Sequence, residues 1–128
     1  ELELSDYSLV VVFDLTKNWL KCEGRAKASS ESMSHGAIYD ANGTIRSVIH
    51  IHSRRIFDFM LEKGYEGTSK DAAYGTPEMA LDLRIRVLKL DNYQGIFVMK
   101  GHQDGIIAFG ESVKTALAQI EAINQLAK

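Results

Sequence analysis

Residues 44–64 read T-I-R-S-V-I-H-I-H-S-R-R-I-F-D-F-M-L-E-K-G, and the two halves follow different periods. As far as Ser53 the run is apolar and rich in β-branched residues, which predicts a strand. Beyond it, Ile56, Phe57, Met60 and Leu61 fall on one helical face and Gly64 closes the segment, which predicts a short helix. The same alternation extends in both directions. Upstream, Tyr7–Leu15 is a β-rich run, Thr16–Asn18 a turn, and Trp19–Gly24 a hairpin partner. Met33, Ala37 and Ile38 give a helix over Glu31–Ala41, ended at Asn42-Gly43 by their preference for positive φ.

Downstream, residues 65–75 form a loop with a brief strand expected around Ala72–Tyr74. Thr76 caps the next helix, Pro77 suits its first position, and Glu78 complements the positive end of its dipole. Asn92–Gly95 turns the chain into Ile96–Gly110, which reads as two short strands or one bent around Gly105. Ser112 caps a last helix, with Val113, Ala116, Leu117, Ile120 and Ile123 as its buried stripe. Strands alternating with one-sided helices make a layered αβ domain.

The 128 residues suffice for one domain with one core. A net charge of -2 offers no electrostatic footprint for nucleic acid. No apolar stretch is long enough to cross a bilayer, and no signal peptide opens the chain, so a cytoplasmic protein is expected. The single cysteine, Cys22, fits a reducing compartment and reads as an inert thiol. The chain opens at Glu1 rather than at methionine, and an upstream segment is expected.

Three groups carry chemistry. In a strand, residues i and i+2 share a face, so His50 and His52 are neighbours. They either converge on one metal ion at about 2.0–2.1 Å or sit as separately hydrogen-bonded histidines. Ser29, Ser30 and Glu31 stand at a loop-to-helix junction, where free N–H groups favour an anion such as phosphate. A plain helix cap is the other reading. His102 and Asp104, in G-H-Q-D-G, share one face if that strand stays extended. Either then completes a site with His50 and His52, or the two form only a local turn.

Residues 27–53 (K-A-S-S-E-S-M-S-H-G-A-I-Y-D-A-N-G-T-I-R-S-V-I-H-I-H-S), 72–83 (A-A-Y-G-T-P-E-M-A-L-D-L) and 97–123 (F-V-M-K-G-H-Q-D-G-I-I-A-F-G-E-S-V-K-T-A-L-A-Q-I-E-A-I) together resemble the class II aldolase/adducin family. The most specific element is S-S-E followed by H-x-H, with His50 nineteen positions after Glu31. The resemblance, from about Tyr7 to Ala127, is nearest to the fuculose-phosphate-type zinc aldolases. It implies an α/β fold, a three-layer αβα sandwich with a mixed, largely antiparallel central sheet. It also implies that His50 and His52 bind Zn²⁺ (or another divalent metal), that Glu31 is the catalytic acid/base, and that Ser29 and Ser30 bind the substrate phosphate. The family's third metal ligand directly precedes a glycine. Here Asp104 holds that position and His102 lies two residues earlier, and the ligand type favours His102. Arg54 and Arg55 read as solvated surface residues or as help for a second anion.

The function implied is divalent-metal-dependent aldol cleavage of a sugar (ketose) phosphate by a homo-oligomer, a tetramer by resemblance. An epimerase or dehydratase on a sugar phosphate is the nearest relative activity. The epimerase branch carries aspartate where Glu31 stands, and for the dehydratase branch only Glu62 and Glu66 offer a counterpart acid/base. A non-enzymatic interaction domain like the adducin head is the second class of function. The family's glycine- and asparagine-containing phosphate loop is expected before Tyr7 and its C-terminal tail after the last helix. The sequence contains neither, so residues 1–128 are expected to be a single domain lacking the N-terminal segment.

Overall fold

Residues 105–110, G-I-I-A-F-G, carry no charge, and every one of them is buried in the computed structural model, which describes residues 1–128. A strand with no polar face has to be covered on both sides. It is the centre of a three-stranded sheet. With β1 Ser8–Asp14, β2 Trp19–Gly24, β3 Ser47–His52, β4 Gly95–Val98 and β5 Gly105–Gly110, the order is β3-β5-β4, and both pairings are antiparallel. Beyond β4, Gly67 adds one parallel bridge to Val98.

The register separates two faces. Val48 pairs with Phe109 and Phe97 with Ile107, so these four side chains share one face. Against them pack Ile38 of α1 (Ser32–Ala41) and Met79, Leu83 and Val87 of α3 (Pro77–Leu88). Ile106 and Val98 point the other way, onto Ile56 and Met60 of α2 (Arg54–Glu62) and Ile123 of α4 (Val113–Leu126). The result is a three-layer αβα sandwich. Arg55 ties α2 to α4 by donating to the carbonyl and side-chain oxygens of Asn124. No helix is long and apolar enough to cross a membrane.

β1 and β2 form a separate hairpin lying on α1. Phe13 reaches the helix because residue 36 is glycine: a Cβ there would meet the Phe13 ring at 3.0 Å. Partly buried Phe13, Leu15 and Leu20 thereby cover Met33 and Ala37. The hairpin's other surface leaves Leu9, Val11, Val12 and Trp19 exposed.

The caps expected at Thr76 and Ser112 are present, each hydroxyl accepting an N–H from the first turn, with Pro77 at the start of α3. Three local expectations are corrected. Ala72–Tyr74 forms a turn, not a strand, and the extended contact with the sheet edge comes earlier, at Gly67. Asn42 is extended (φ -154°) and ends α1 by accepting the Thr44 and Ile45 N–H groups, not through positive φ. The buried stripe of α4 is Ala116, Ile120 and Ile123, because Val113 and Leu117 are exposed. Of the two readings of Ile96–Gly110, two strands joined by a tight turn is the one that forms, with Gly105 opening the second.

Truncating Phe109, which is fully buried against Phe97, should cost about 3–5 kcal/mol of stability. Leu117→Ala, at a side chain 42% exposed, should cost less than about 0.5 kcal/mol. Urea unfolding of the two variants beside the parent checks both values.

Candidate metal centre

The pairing of β3 with β5 sets His50 opposite Ile107 and His52 opposite Gly105. Both imidazoles therefore lie on the face covered by α1 and α3, at the end of the sheet where that core runs out. His50 is half-buried, and His52 is exposed. The turn between β4 and β5 supplies a third imidazole. Its hydrogen bonds run from His102 N–H to Met99 O, from Gly105 N–H to His102 O, and from Met99 N–H to Gly105 O, each 2.9 Å. Within this turn Asp104 has φ 62°, so strand alternation does not hold between residues 102 and 104. His102, 8% exposed, folds back over the sheet to meet the other two histidines.

The three rings stand at centroid separations of 4.8, 5.1 and 4.6 Å, and one ligand atom from each lies within 4.8 Å of the others. Asp104 is not part of this convergence. The nitrogens of a tetrahedral zinc site would be roughly 3.3 Å apart, given Zn–N distances of about 2.0–2.1 Å. His52 Nε2 and His102 Nε2 are 2.8 Å apart, a hydrogen bond in which one nitrogen carries the proton, and a metal would replace that proton with a slightly wider spacing. His50 Nδ1 lies 3.0 Å from the Ile106 carbonyl oxygen, which can only accept, so Nδ1 carries the proton. That leaves the lone pair on His50 Nε2, which is buried without any protein partner. A buried acceptor aimed at two further imidazoles is what a divalent cation requires. The donor set fits one.

Glu31 stands beside the cluster at the start of α1. It is 4% exposed, and neither carboxylate oxygen has a hydrogen-bond partner in the protein. Its Oε1 is 3.9 Å from His102 Nδ1. A carboxylate at that distance favours the tautomer with the proton on Nδ1, which turns the His102 Nε2 lone pair toward His52. Burial, first of all, holds both His50 and His102 below the usual imidazole pKa, while Glu31 opposes the shift. Neutral imidazole is the form that ligates.

Ser29 is exposed, and its hydroxyl oxygen accepts the Glu31 N–H at 3.1 Å; Ser30 is exposed beside it. Ser29, Glu31 and Ser32 form the polar side of a cavity of about 300 Å³ between α1 and β1, opposite Val10 and Phe13. His35 lines the same cavity, one helical turn beyond Glu31. Burial, then repulsion from His50, lowers its pKa to about 4, against the pull of Glu31. His35 belongs to this neighbourhood although no motif singled it out. The i,i+4 spacing from Glu31 was the available signal.

The other candidates lie elsewhere. Arg54 pairs with Asp58 at 3.5 Å on the surface of α2, and Arg55 is engaged by α4. Glu62 pairs with Lys63 and Glu66 with Arg86, both exposed. None of the four joins the histidines.

Two expectations follow from the electrostatics. Glu31→Gln removes a buried carboxylate with no hydrogen-bond partner, so the metal-free variant should be more stable than the parent by about 1–3 kcal/mol at neutral pH. Chemical unfolding in the presence of a chelator measures this. For His35, the unfolded chain binds a proton near pH 6.5 and the folded chain only near 4. Stability is therefore complete above pH 6.5 and falls as the pH drops from 6.5 toward 4, where the folded state also protonates. His35→Gln should flatten part of that slope in unfolding midpoints taken across the window.

The comparisons with known proteins agree with this geometry. No curated protein and no solved structure matches the chain. The family model described as "Class II Aldolase and Adducin N-terminal domain" matches residues 2–128. With a histidine cluster able to hold a divalent metal on a three-layer αβα fold, the chain belongs to the class II aldolase and adducin family.

Proposed function

We propose that this domain is a zinc-dependent lyase that cleaves a ketose phosphate by a retro-aldol reaction. The observation that carries the reading is the convergence of His50, His52 and His102 beside a buried Glu31 carboxylate with no hydrogen-bond partner. His50, His52 and His102 are the metal ligands, and Asp104 is not one. A divalent metal bound there supplies a Lewis acid that polarises the substrate's carbonyl and stabilises negative charge on oxygen as the C3–C4 bond breaks.

The chain's own residues do the rest. Glu31 is the acid/base. Its oxygens have no other hydrogen bond to break, so the carboxylate can take the C4 hydroxyl proton as the C3–C4 bond breaks and C4 becomes the aldehyde, then return that proton to C3 of the enediolate. A group in this role contributes about 10²–10⁴-fold. Ser29 already accepts the Glu31 N–H, so its hydroxyl proton remains to donate to a phosphate oxygen, with Ser30 next to it. Fixing the phosphate at the start of α1 orients the sugar toward Glu31. His52 is the exposed member of the cluster, so substrate enters from its side. The proposal includes a cytoplasmic homo-oligomer.

Metal content by elemental mass spectrometry, with a His50→Ala/His52→Ala variant alongside, tests the centre. The parent should carry close to one divalent ion per chain and the variant none. Zn²⁺ at a hundredfold excess over its Kd should stabilise the parent alone by about 2.7 kcal/mol. Glu31→Gln should keep the metal and lose about 10²–10⁴-fold in aldehyde release from the ketose phosphate that the parent cleaves. A parent that is metal-free and takes up no added Zn²⁺ overturns the lyase and leaves an adducin-like interaction domain.

A further inference from the structure

We propose that Gly105 is a positioning residue of the metal centre, its missing side chain being the seat of the His102 ring. Gly105 opens β5 directly opposite His52. A Cβ at this position would lie 2.3 Å from His102 Cδ2, 3.0 Å from Cγ and 2.9 Å from the His102 carbonyl oxygen. Carbon atoms in contact normally stand about 3.5–4.0 Å apart, so ring and side chain cannot both be present without displacement. The closest conflict is with the ring, 2.3 Å from Cδ2, and the His102 carbonyl oxygen at 2.9 Å is a second, smaller one. Positive φ occurs at Gly24, Gly64 and Gly75 and not at Gly105, so alanine can adopt its conformation.

The consequence is geometric. His102 belongs to a turn, and a turn residue reaches the sheet face only by folding back over the strand that follows. The hydrogen bonds between Met99, His102 and Gly105 fix the backbone for this. The empty position at Gly105 admits the ring, and only there does His102 Nε2 come within 2.8 Å of His52 Nε2. The turn itself is packed too closely to move: a Cβ on Gly101 would fall 1.7 Å from the Ala72 carbonyl oxygen. A side chain at 105 therefore displaces the imidazole first, its Cδ2 being the nearest atom, and presses less closely on the His102 carbonyl oxygen.

This inference rests on the reading of the cluster as a metal centre, and the test separates the two. Gly105→Ala, His102→Ala and the double variant are unfolded in urea with chelator present, and the Zn²⁺ affinity of the parent and of Gly105→Ala is measured by competition with a chromogenic chelator. Gly105→Ala should lower the urea midpoint when His102 is present and by clearly less in the His102→Ala background, where the colliding ring is gone and only the contact with the residue 102 carbonyl oxygen remains. Its Zn²⁺ affinity should fall by about 10–100-fold, the range seen when groups that orient a ligand are changed.

If Gly105→Ala alone fails to fold while the double variant folds, the coupling is shown in its strongest form. If the two substitutions are additive, if the double variant also fails to fold, or if Gly105→Ala binds Zn²⁺ as the parent does, the proposal is overturned. A parent that binds no Zn²⁺ overturns the positioning role together with the metal reading. A coupled cycle in that case assigns the failure to the metal reading, not to the packing of His102 on Gly105.

Discussion

Everything that can be chemical in this domain depends on the antiparallel pairing of β3 with β5. Because side chains alternate along a strand, a slip of one residue would turn His50 and His52 to the α2 and α4 side and carry Val48 out of the core that Phe109 completes. The apolar pattern of β5 therefore fixes the register, and the register aims the imidazoles. His50 and His52 continue the line of Val48 along the same face, where buried hydrocarbon gives way to polar groups and, at His52, to solvent. Core and candidate site are successive portions of one sheet face.

The site also carries groups that a purely structural interior would not keep. Glu31, His50 and His102 each hold a buried polar atom without a protein partner. Each such atom costs about 1–3 kcal/mol, and an ionised one costs more. Gathering them in one place concentrates that cost where a cation would repay it. The packing on either side is tight and ordinary, from Phe97 on Phe109 to Ile123 on the opposite face. Four of the five buried side-chain polar atoms without a partner lie in this one place, the fifth being Ser8 Oγ on β1, and such a concentration is what a site prepared for a ligand looks like.

How much of this could be read from the sequence follows from the range of the interactions involved. Helix caps are local, and Thr76-Pro77 and Ser112 marked their helices correctly. The period of two along Val48, His50 and His52 was also legible, because strand alternation needs no distant information. The turn at residues 99–104 was legible only as one of two alternatives. Alternation suggested that His102 and Asp104 share a face, but Asp104 at φ 62° breaks the period, and three backbone hydrogen bonds replace it. Nor did the sequence reveal that Gly67, not Ala72–Tyr74, touches the sheet edge. That contact is possible only because residue 67 has no Cβ, which would lie 2.3 Å from the Val98 carbonyl oxygen, and this is a tertiary constraint. His35 went unnoticed for the same reason: a histidine within a helix acquires its meaning only when the helix is laid against His50 and β1.

The tautomers of the cluster join these observations. The Ile106 carbonyl belongs to the neighbouring strand and holds the His50 proton on Nδ1, so the sheet's own hydrogen-bonding surface leaves Nε2 free. Glu31, arriving from α1, acts on His102 from the opposite side with the same result. Burial then keeps His50 and His102 from charging, so that a proton competes weakly for the same lone pairs. A β-strand and a helix N-terminus that meet only through tertiary packing thus prepare two imidazoles in the form that binds a cation. Because that preparation comes from the backbone and from burial, it exists before any ion arrives, and the entropy of ordering the ligands has already been met by folding.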